Sequence, residues 1–410
     1  MGSTEAEHLL GSQSPTHDQI VLHLDMDCFF AACERLRNPD LEGEPLVIGG
    51  GFDSNPPRGA VATASYEARE YGVHSAQPIS TALQNLPRRS AEESGESDTT
   101  DQATGIYLKG DHSFYGEVST EVMDIVDEYA DTVRRVSIDE AYLDVTEEAT
   151  WESVTSLASE LKTRIEEEVG VVASIGIAPT MSCAKIASDH DKPDGLCIVR
   201  PGEVAAFLAP LDIEEIHGVG PRGAEAFRDA GIETAGDLAS LSVQEVVDRF
   251  GSNATKLYDR VRGIDPRSVE PVGEPKSISK EKSIEPTKSM ETKRALVERL
   301  GTQVNERVER KGARYRTVGI KVVETPFDVN TRERSLHGPV REPDLVQSIA
   351  GELLEEFRDS EVRKLGVRVS NLEFFSGDQL RISAVESKAT DDASGTSTRR
   401  LGQTRLTDFL

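Results

Sequence analysis

Cysteine is scarce in this chain: four residues in 410 (Cys28, Cys33, Cys183 and Cys197), none in a CxxC spacing. That excludes a zinc ribbon and a disulfide-stapled scaffold. Long apolar runs are missing too, since residues 171–178 fall far short of the roughly 20 a membrane span needs. The first ten residues hold neither Lys nor Arg and no extended apolar core, which excludes a secretory signal. Aromatics are only 5% of the chain, and lysine supplies only 14 of its 46 basic residues. A soluble, cytoplasmic protein without a membrane partner is the expectation.

Carboxylate is in excess: 73 Asp and Glu stand against 46 Lys and Arg, a net charge of −27. The overall field repels phosphate and excludes a simple polybasic binder, but it leaves room for a locally basic surface, so charge is read by segment. Much carboxylate with little lysine suits a chain from concentrated salt, where repulsion is screened within a few ångströms. At roughly 150 residues per domain, the length allows two to four domains.

Along the chain the patterning is α+β. Residues 1–18 are polar and read as a flexible leader. An apolar strand at 20–25 leads to a helix over 28–37, with Asp27 expected as its cap and Asn38-Pro39 as its stop. Short strands at 46–48 and 60–63 and a short helix at 65–71 follow. Residues 90–104 carry five acidic side chains and no basic one, the signature of an exposed insertion. Helical periodicity returns over 113–129 and 154–169, with strands expected at 133–137, 141–145 and 171–177. From about 210 to 266 come small helices and Gly turns, then a second α+β unit over 276–375. In that unit residues 276–336 hold fifteen Lys and Arg against nine Asp and Glu, a local net of +6 inside a chain of −27. Residues 381–402 read as a disordered tether.

Two acidic motifs carry the chemistry. HLDMDCFF (23–30) ends an apolar strand in Asp25, and SIDEAYLD (137–144) sets Asp139 and Glu140 side by side in a strand–turn–strand context. Neighbours on a straight strand point to opposite faces, so these two share a site only if the chain bends there. A hairpin tip beside the end of the first strand would gather Asp25, Asp139 and Glu140. Three converging carboxylates repel one another and call for hard cations; Mg²⁺ accepts such oxygens together with substrate phosphates. Either patch alone would more often be a solvated turn. Tyr66 and Arg69 lie one helical turn apart and can present a hydroxyl and a guanidinium together. Gly49-Gly50-Gly51 has neither a GxGxxG pattern nor a Walker lysine and is read as a turn. IHGVGPRGAEAFRDAGI (216–232) matches a helix–hairpin–helix, in which Gly218 and Gly220 let backbone N–H groups approach a phosphate.

Together HLDMDCFFAACE, AVATASYEAR (60–69), SIDEAYLD and SIGIAPTMSCAKIASDHDKPDG (174–195) resemble, in order and spacing, the Y-family translesion DNA polymerases, in particular their DNA polymerase IV (DinB-like) branch. The resemblance implies a right-hand polymerase. Its ferredoxin-like palm would comprise 19–36 and 86–200, with small fingers at 37–85. A helix–hairpin–helix thumb would span 201–268 and an α+β little finger 276–376. It implies two Mg²⁺ ions on Asp25, Asp139, Glu140 and the Met26 carbonyl, with Asp27 outside the ligand set. Phe30 takes the place of a steric gate against ribonucleotides, while Phe29 suits the core. Tyr66, Arg69 and Lys192 are implied to bind the dNTP, and Lys185 to pack or touch DNA. The terminal QTRLTDFL resembles a sliding-clamp (PCNA-like) peptide through Gln403, Leu406, Phe409 and Leu410, with Leu410 standing where an aromatic is usual. The implied protein is a monomer without proofreading that copies primer–template DNA in damage tolerance. A palm-fold nucleotidyl cyclase and a catalytically inactive DNA- and clamp-binding scaffold are the rival readings.

Overall fold

The structure is a computed structural model, and it describes residues 19–89 and 103–374. The leader, nearly all of the acidic insertion, the tether and the terminal peptide with Gln403, Leu406, Phe409 and Leu410 lie outside the described residues. The chain forms two compact units, divided after Val272. Among the described residues no helix is long and apolar enough to cross a membrane.

The strands of the first unit are β1 (Val21–Met26), β2 (Leu46–Gly49), β3 (Val61–Ala64), β4 (Ile106–Lys109), β5 (Thr132–Arg135), β6 (Glu140–Asp144), β7 (Ala173–Ala178) and β8 (Leu196–Ile198). Five of them form one sheet in the order β5-β6-β1-β7-β8, antiparallel except for β7 with β8. Alternation along β1 sorts its side chains. Leu22, Leu24 and Met26 join the core beneath helices His112–Val126 and Val154–Val169. Val21 and His23 are buried on the other face, where helix Met181–His190 packs on β1 and β7. Asp25, two residues on from His23, is the partly exposed member of that face.

That helix lies almost flush on β7. A methyl built on Gly176 would sit 2.1 Å from the Ala184 carbonyl oxygen and 2.2 Å from the Ser188 nitrogen. The remaining strands form a small sheet, β3-β2-β4, with β2 and β4 parallel. Its third strand comes from residues 106–109, beyond the expected fingers segment 37–85. Tyr107 explains the recruitment: it is buried against Phe52 and donates its hydroxyl to the Leu86 carbonyl at 2.7 Å.

Asp27 is not the cap of the first helix. The helix runs Phe29–Arg37 and starts from Cys28, which adopts a left-handed conformation (φ 45°) with no side-chain cap. That turn leaves Asp27 buried at 6% exposure rather than at the helix end. After β8 come the small helices Val204–Leu208, Pro221–Asp229, Ala235–Ser240, Val243–Phe250 and Thr255–Val261. Thr234 and Ser242 start two of them with capping boxes.

The second unit is a four-stranded antiparallel sheet of β9 (Ser277–Thr287), β10 (Ala313–Glu324), β11 (Asp328–Val340) and β12 (Val362–Phe374), in the order β11-β10-β12-β9. Helices Met290–Arg310 and Pro343–Leu354 share its core. Lys293 lies fully inside, its ammonium donating to the carbonyls of Phe357 and Arg358 at 2.8 Å and of Ser360 at 3.1 Å. One of the fifteen basic residues of 276–336 is thus a structural clip.

The Gly176 contact sets a stability test. Backbone atoms cannot move aside, so Gly176→Ala is expected to destabilise the first unit by about 1–3 kcal/mol in urea unfolding. Gly116→Ala, inside helix His112–Val126 with nothing within 4 Å of the added carbon, is expected to stabilise it by about 0.5–1 kcal/mol.

Candidate active site

The register brings the acidic motifs together: Asp25 on β1 stands opposite Glu140, the first residue of β6. Asp139 lies in the turn before it, with its carbonyl accepting from the Met26 N–H at 2.9 Å. The turn closes through the Val136 and Ser137 amides on the Glu140 carbonyl. The Asp139 carboxylate accepts from the Ser137 hydroxyl, and among the described residues the ligand atoms gathered within 4.8 Å of one another are those of His23, Asp25 and Glu140, without Asp139. Asp25 and Glu140 are 16% and 18% exposed, so both reach solvent from a recess. Met26 is buried by its side chain, with its backbone at the strand end.

Two lysines neutralise this recess. Lys192 Nζ lies 2.6 Å from Asp25 Oδ1 and 2.8 Å from Asp189 Oδ1. Lys185 Nζ lies 2.8 Å from Glu140 Oε2 and 3.5 Å from Asp25 Oδ2. Burial opposes the charge on each ammonium, but the surrounding carboxylates outweigh it and raise both lysines above their ordinary value. Contact with His23 and then with Lys185 holds Glu140 down at about 2. Asp139 moves the other way, raised by burial and by its negative neighbours Asp25 and Glu140 in spite of the hydroxyl of Ser137.

Around the carboxylates the other candidates fall into two groups. Phe30 is partly exposed and stacks on Tyr115, centroids 4.6 Å apart and planes at 18°, with His112 edge-on at 5.5 Å. Tyr115 is itself anchored by its hydroxyl donating to Glu34 at 2.6 Å, so the Phe30 ring has a rigid backing. Phe29 is buried in the core, as expected. Tyr66 and Arg69 stand on helix Tyr66–Arg69, the guanidinium 4.6 Å from the ring centre and its Nε donating to the Ala64 carbonyl at 3.1 Å.

Four contributors escaped the sequence reading. Asp27 accepts from Ser174 Oγ at 2.9 Å, from the Asp194 amide at 2.8 Å and from the Tyr66 hydroxyl at 3.2 Å. It ties the Tyr66 helix to the large sheet, and burial raises its pKa. Lys185 is inside the carboxylate cluster rather than beside it. Tyr115 backs Phe30. His23 is wholly buried, with Nδ1 2.8 Å from Ser188 Oγ and Nε2 3.5 Å from Glu140 Oε2. Its i−2 spacing from Asp25 on one strand face was the signal available for it.

Gly218 has φ +101°, and a methyl there would meet Arg260 at 2.6 Å, while that guanidinium bonds the His217 carbonyl at 2.8 Å. Gly220 has an ordinary φ of −96° and opens helix Pro221–Asp229 with nothing within 4 Å of an added carbon. In the second unit many of the basic residues of 276–336 are paired. Arg332 meets Glu356, Arg334 meets Glu352, Arg294 meets Glu355 and Arg316 meets Glu373, while Lys321 and Lys364 share Glu281. Four of those carboxylates lie beyond residue 336, so the local surplus of +6 is smaller in space than in sequence.

Residues 24–189 match the impB/mucB/samB family, residues 201–232 that family's HHH motif and residues 275–382 its C-terminal domain. The DNA polymerase IV of Halobacterium salinarum is 48% identical over 92% of this chain and 91% of its own. The chain belongs to the Y family of DNA polymerases. A solved Dbh–Dpo4 Y-family polymerase chimera superposes with a TM-score of 0.75 at 29% identity, covering 87% of this chain and all of the other. An insertion ternary complex of Dbh DNA polymerase gives 0.62 at 28% identity, with the same coverage. As a Y-family member the chain is a DNA-directed DNA polymerase, a nucleotidyltransferase of translesion synthesis. Neither the cyclase nor the inactive scaffold finds support in these likenesses.

The opposed shifts at the hairpin tip are testable by ¹³C carboxyl NMR of the metal-free polymerase. As pH falls from 7, Asp139 is expected to take up its proton above the ordinary aspartate range, while Glu140 stays ionised to about 2. Glu140 is depressed on folding, so its stabilisation is complete above its ordinary 4.5 and is lost as pH falls towards 2.

Proposed function

We propose that Asp25, Asp139 and Glu140, with the Met26 carbonyl, hold two Mg²⁺ ions that catalyse attack of a primer 3′-hydroxyl on the α-phosphate of a dNTP, releasing pyrophosphate. The observation that carries this reading is the pairing of the Asp25 and Glu140 carboxylates across β1 and β6 beside two ammonium groups that balance them, with Asp139 in the adjoining turn. The donor set fits the ion, being hard oxygen throughout, as Mg²⁺ prefers. When bound, the pair of ions supplies electrostatic stabilisation of the attacking and leaving oxygens.

The side chains supply the rest. Lys185 and Lys192 hold the carboxylates together, and Lys192, at the edge of the cluster, would bind the triphosphate. Arg69 adds a planar fork suited to phosphate oxygens, and the Tyr66 hydroxyl a further donor. Phe30, backed by Tyr115, stands against the 2′-hydroxyl of a ribonucleotide. In this reading the five-stranded sheet is the palm, the three-stranded sheet the fingers, residues 201–268 the thumb and 276–376 the little finger. Primer–template DNA is gripped at the thumb by the backbone amides around Gly218 and Gly220, which need little side-chain charge. Gln403, Leu406, Phe409 and Leu410 engage a PCNA-like clamp. The enzyme works as a cytoplasmic monomer.

Primer extension with dNTPs and Mg²⁺ across a KCl series tests this. Glu140→Ala is expected to slow extension by about 10³-fold or more, the rate equivalent of about 4 kcal/mol. Unchanged extension by that variant would remove the metal site. Phe30→Ala is expected to keep dNTP extension and admit ribonucleotides, read by alkali-sensitive product.

A further inference from the structure

We propose that Lys162 is a positioning residue for dNTP binding: its ammonium clamps the turn that carries Lys192 and so fixes Lys192 for the triphosphate. The proposal rests on the reading of Lys192 as a triphosphate ligand and adds the group that holds it in place.

The turn follows helix Met181–His190. Lys192 is succeeded by Pro193, Asp194 and Gly195, and β8 starts at Leu196. Gly195 folds so closely on the preceding chain that a methyl there would lie 2.7 Å from the Asp191 carbonyl oxygen. On the sheet side the Gly195 amide donates to Ser174 Oγ at 3.0 Å, and the Ile175 amide donates to the Gly195 carbonyl at 3.0 Å. Asp194 is left in a left-handed conformation, φ 57°, which a residue other than glycine keeps only where its neighbours impose it.

Lys162 helps to impose it from another segment of the chain, helix Val154–Val169. Its ammonium donates to the carbonyl of Asp194 and, at 3.0 Å, to that of Gly195, and it lies 2.9 Å from Asp194 Oδ1. An ammonium has three donors and no acceptor, so these three oxygens use all of it. The Lys162 side chain is only 13% exposed. A pair made of two exposed side chains would be a loose surface contact, but backbone carbonyls cannot swing away as a free carboxylate does. From the other side the Asp27 carboxylate accepts from the Asp194 amide at 2.8 Å. Both peptide groups of Asp194 are therefore held, two residues from Lys192.

The consequence for Lys192 is one of order. A lysine on a loose turn has to be immobilised, backbone and side chain together, as its anion binds, and that cost is subtracted from affinity. With the turn held beforehand, only the side chain remains to be placed. The donors of Lys162 are all spent on the turn, so it acts through Lys192 and not on the triphosphate itself.

Single-nucleotide incorporation at saturating primer–template tests this. Lys162→Met is expected to raise the dNTP KM about fivefold to tenfold and to leave the Kd for primer–template unchanged. Lys192→Met alone is expected to raise the KM at least as much, and the double variant no further, because one residue acts through the other. A raised KM in Lys192→Met with an unchanged KM in Lys162→Met would overturn the proposal and leave the Lys192 reading standing. So would a double variant in which the two effects multiply. An unchanged KM in Lys192→Met would overturn both. Amide hydrogen exchange separates a clamp from general packing: Lys162→Met is expected to speed exchange at Asp194 and Gly195 by about tenfold and to spare helix Val154–Val169. Equal acceleration along that helix would overturn the proposal. ¹⁵N NMR of the lysine ammonium groups reads the unsubstituted protein, so the outcome does not depend on a variant folding. A slowly exchanging Lys162 ammonium coupled across hydrogen bonds to the Asp194 and Gly195 carbonyls is expected, and a freely exchanging one would overturn the clamp.

Discussion

Everything at this site depends on carboxylates being forced together. The β1–β6 register sets Asp25 opposite Glu140, and the hairpin turn brings Asp139 to the same end of the sheet. Like charges at such range repel, and a half-buried recess weakens the solvent screening that would separate them. The fold answers with two ammonium groups from one stretch of chain: Lys185 on helix Met181–His190 and Lys192 just beyond it. That helix is locked on β7 by a glycine that leaves no space for a side chain. The sheet packing and the charge balance of the site are therefore one problem, solved by one element.

A second tier of buried polar groups surrounds this cluster. Asp27 joins the helix of Tyr66 to Ser174 and the Asp194 backbone, so the small sheet and the large one share a hydrogen-bonded node beside the recess. Tyr115, held by Glu34, backs Phe30. Asp27 and Tyr115 each fix a side chain of the proposed substrate site, Tyr66 and Phe30.

The acidity of the chain bears on how such an enzyme grips a polyanion. Pairing within the second unit draws many of its Arg and Lys onto Glu281, Glu352, Glu355, Glu356 and Glu373. Such exposed pairs contribute little to stability. They do lower the field the surface presents. A grip through backbone amides, as proposed at Gly218 and Gly220, would be less exposed to salt than one through free ammonium groups, whose gain comes from counterion release.

Much of this was legible in the chain itself. Apolar alternation and turn residues marked most strands and helices, helix Val154–Val169 to its ends, and four ordered motifs named the family and singled out Asp25, Asp139, Glu140, Phe30, Tyr66, Arg69 and Lys192. Local patterning suffices there because period and spacing are properties of neighbouring residues. Asp27 went wrong because capping is decided by the backbone, and the left-handed turn at Cys28 points elsewhere. β4 was not anticipated, because a parallel pairing with β2 is a contact between distant segments. The surplus of basic charge shrank because its partners lie further along the chain. His23 and Lys185 acquire meaning only where a strand register and a packed helix bring them to Glu140. Sequence determined which groups are candidates for the chemistry; tertiary structure alone decided which of them meet, because hydrogen bonds and ion pairs act across ångströms of space and not along the chain.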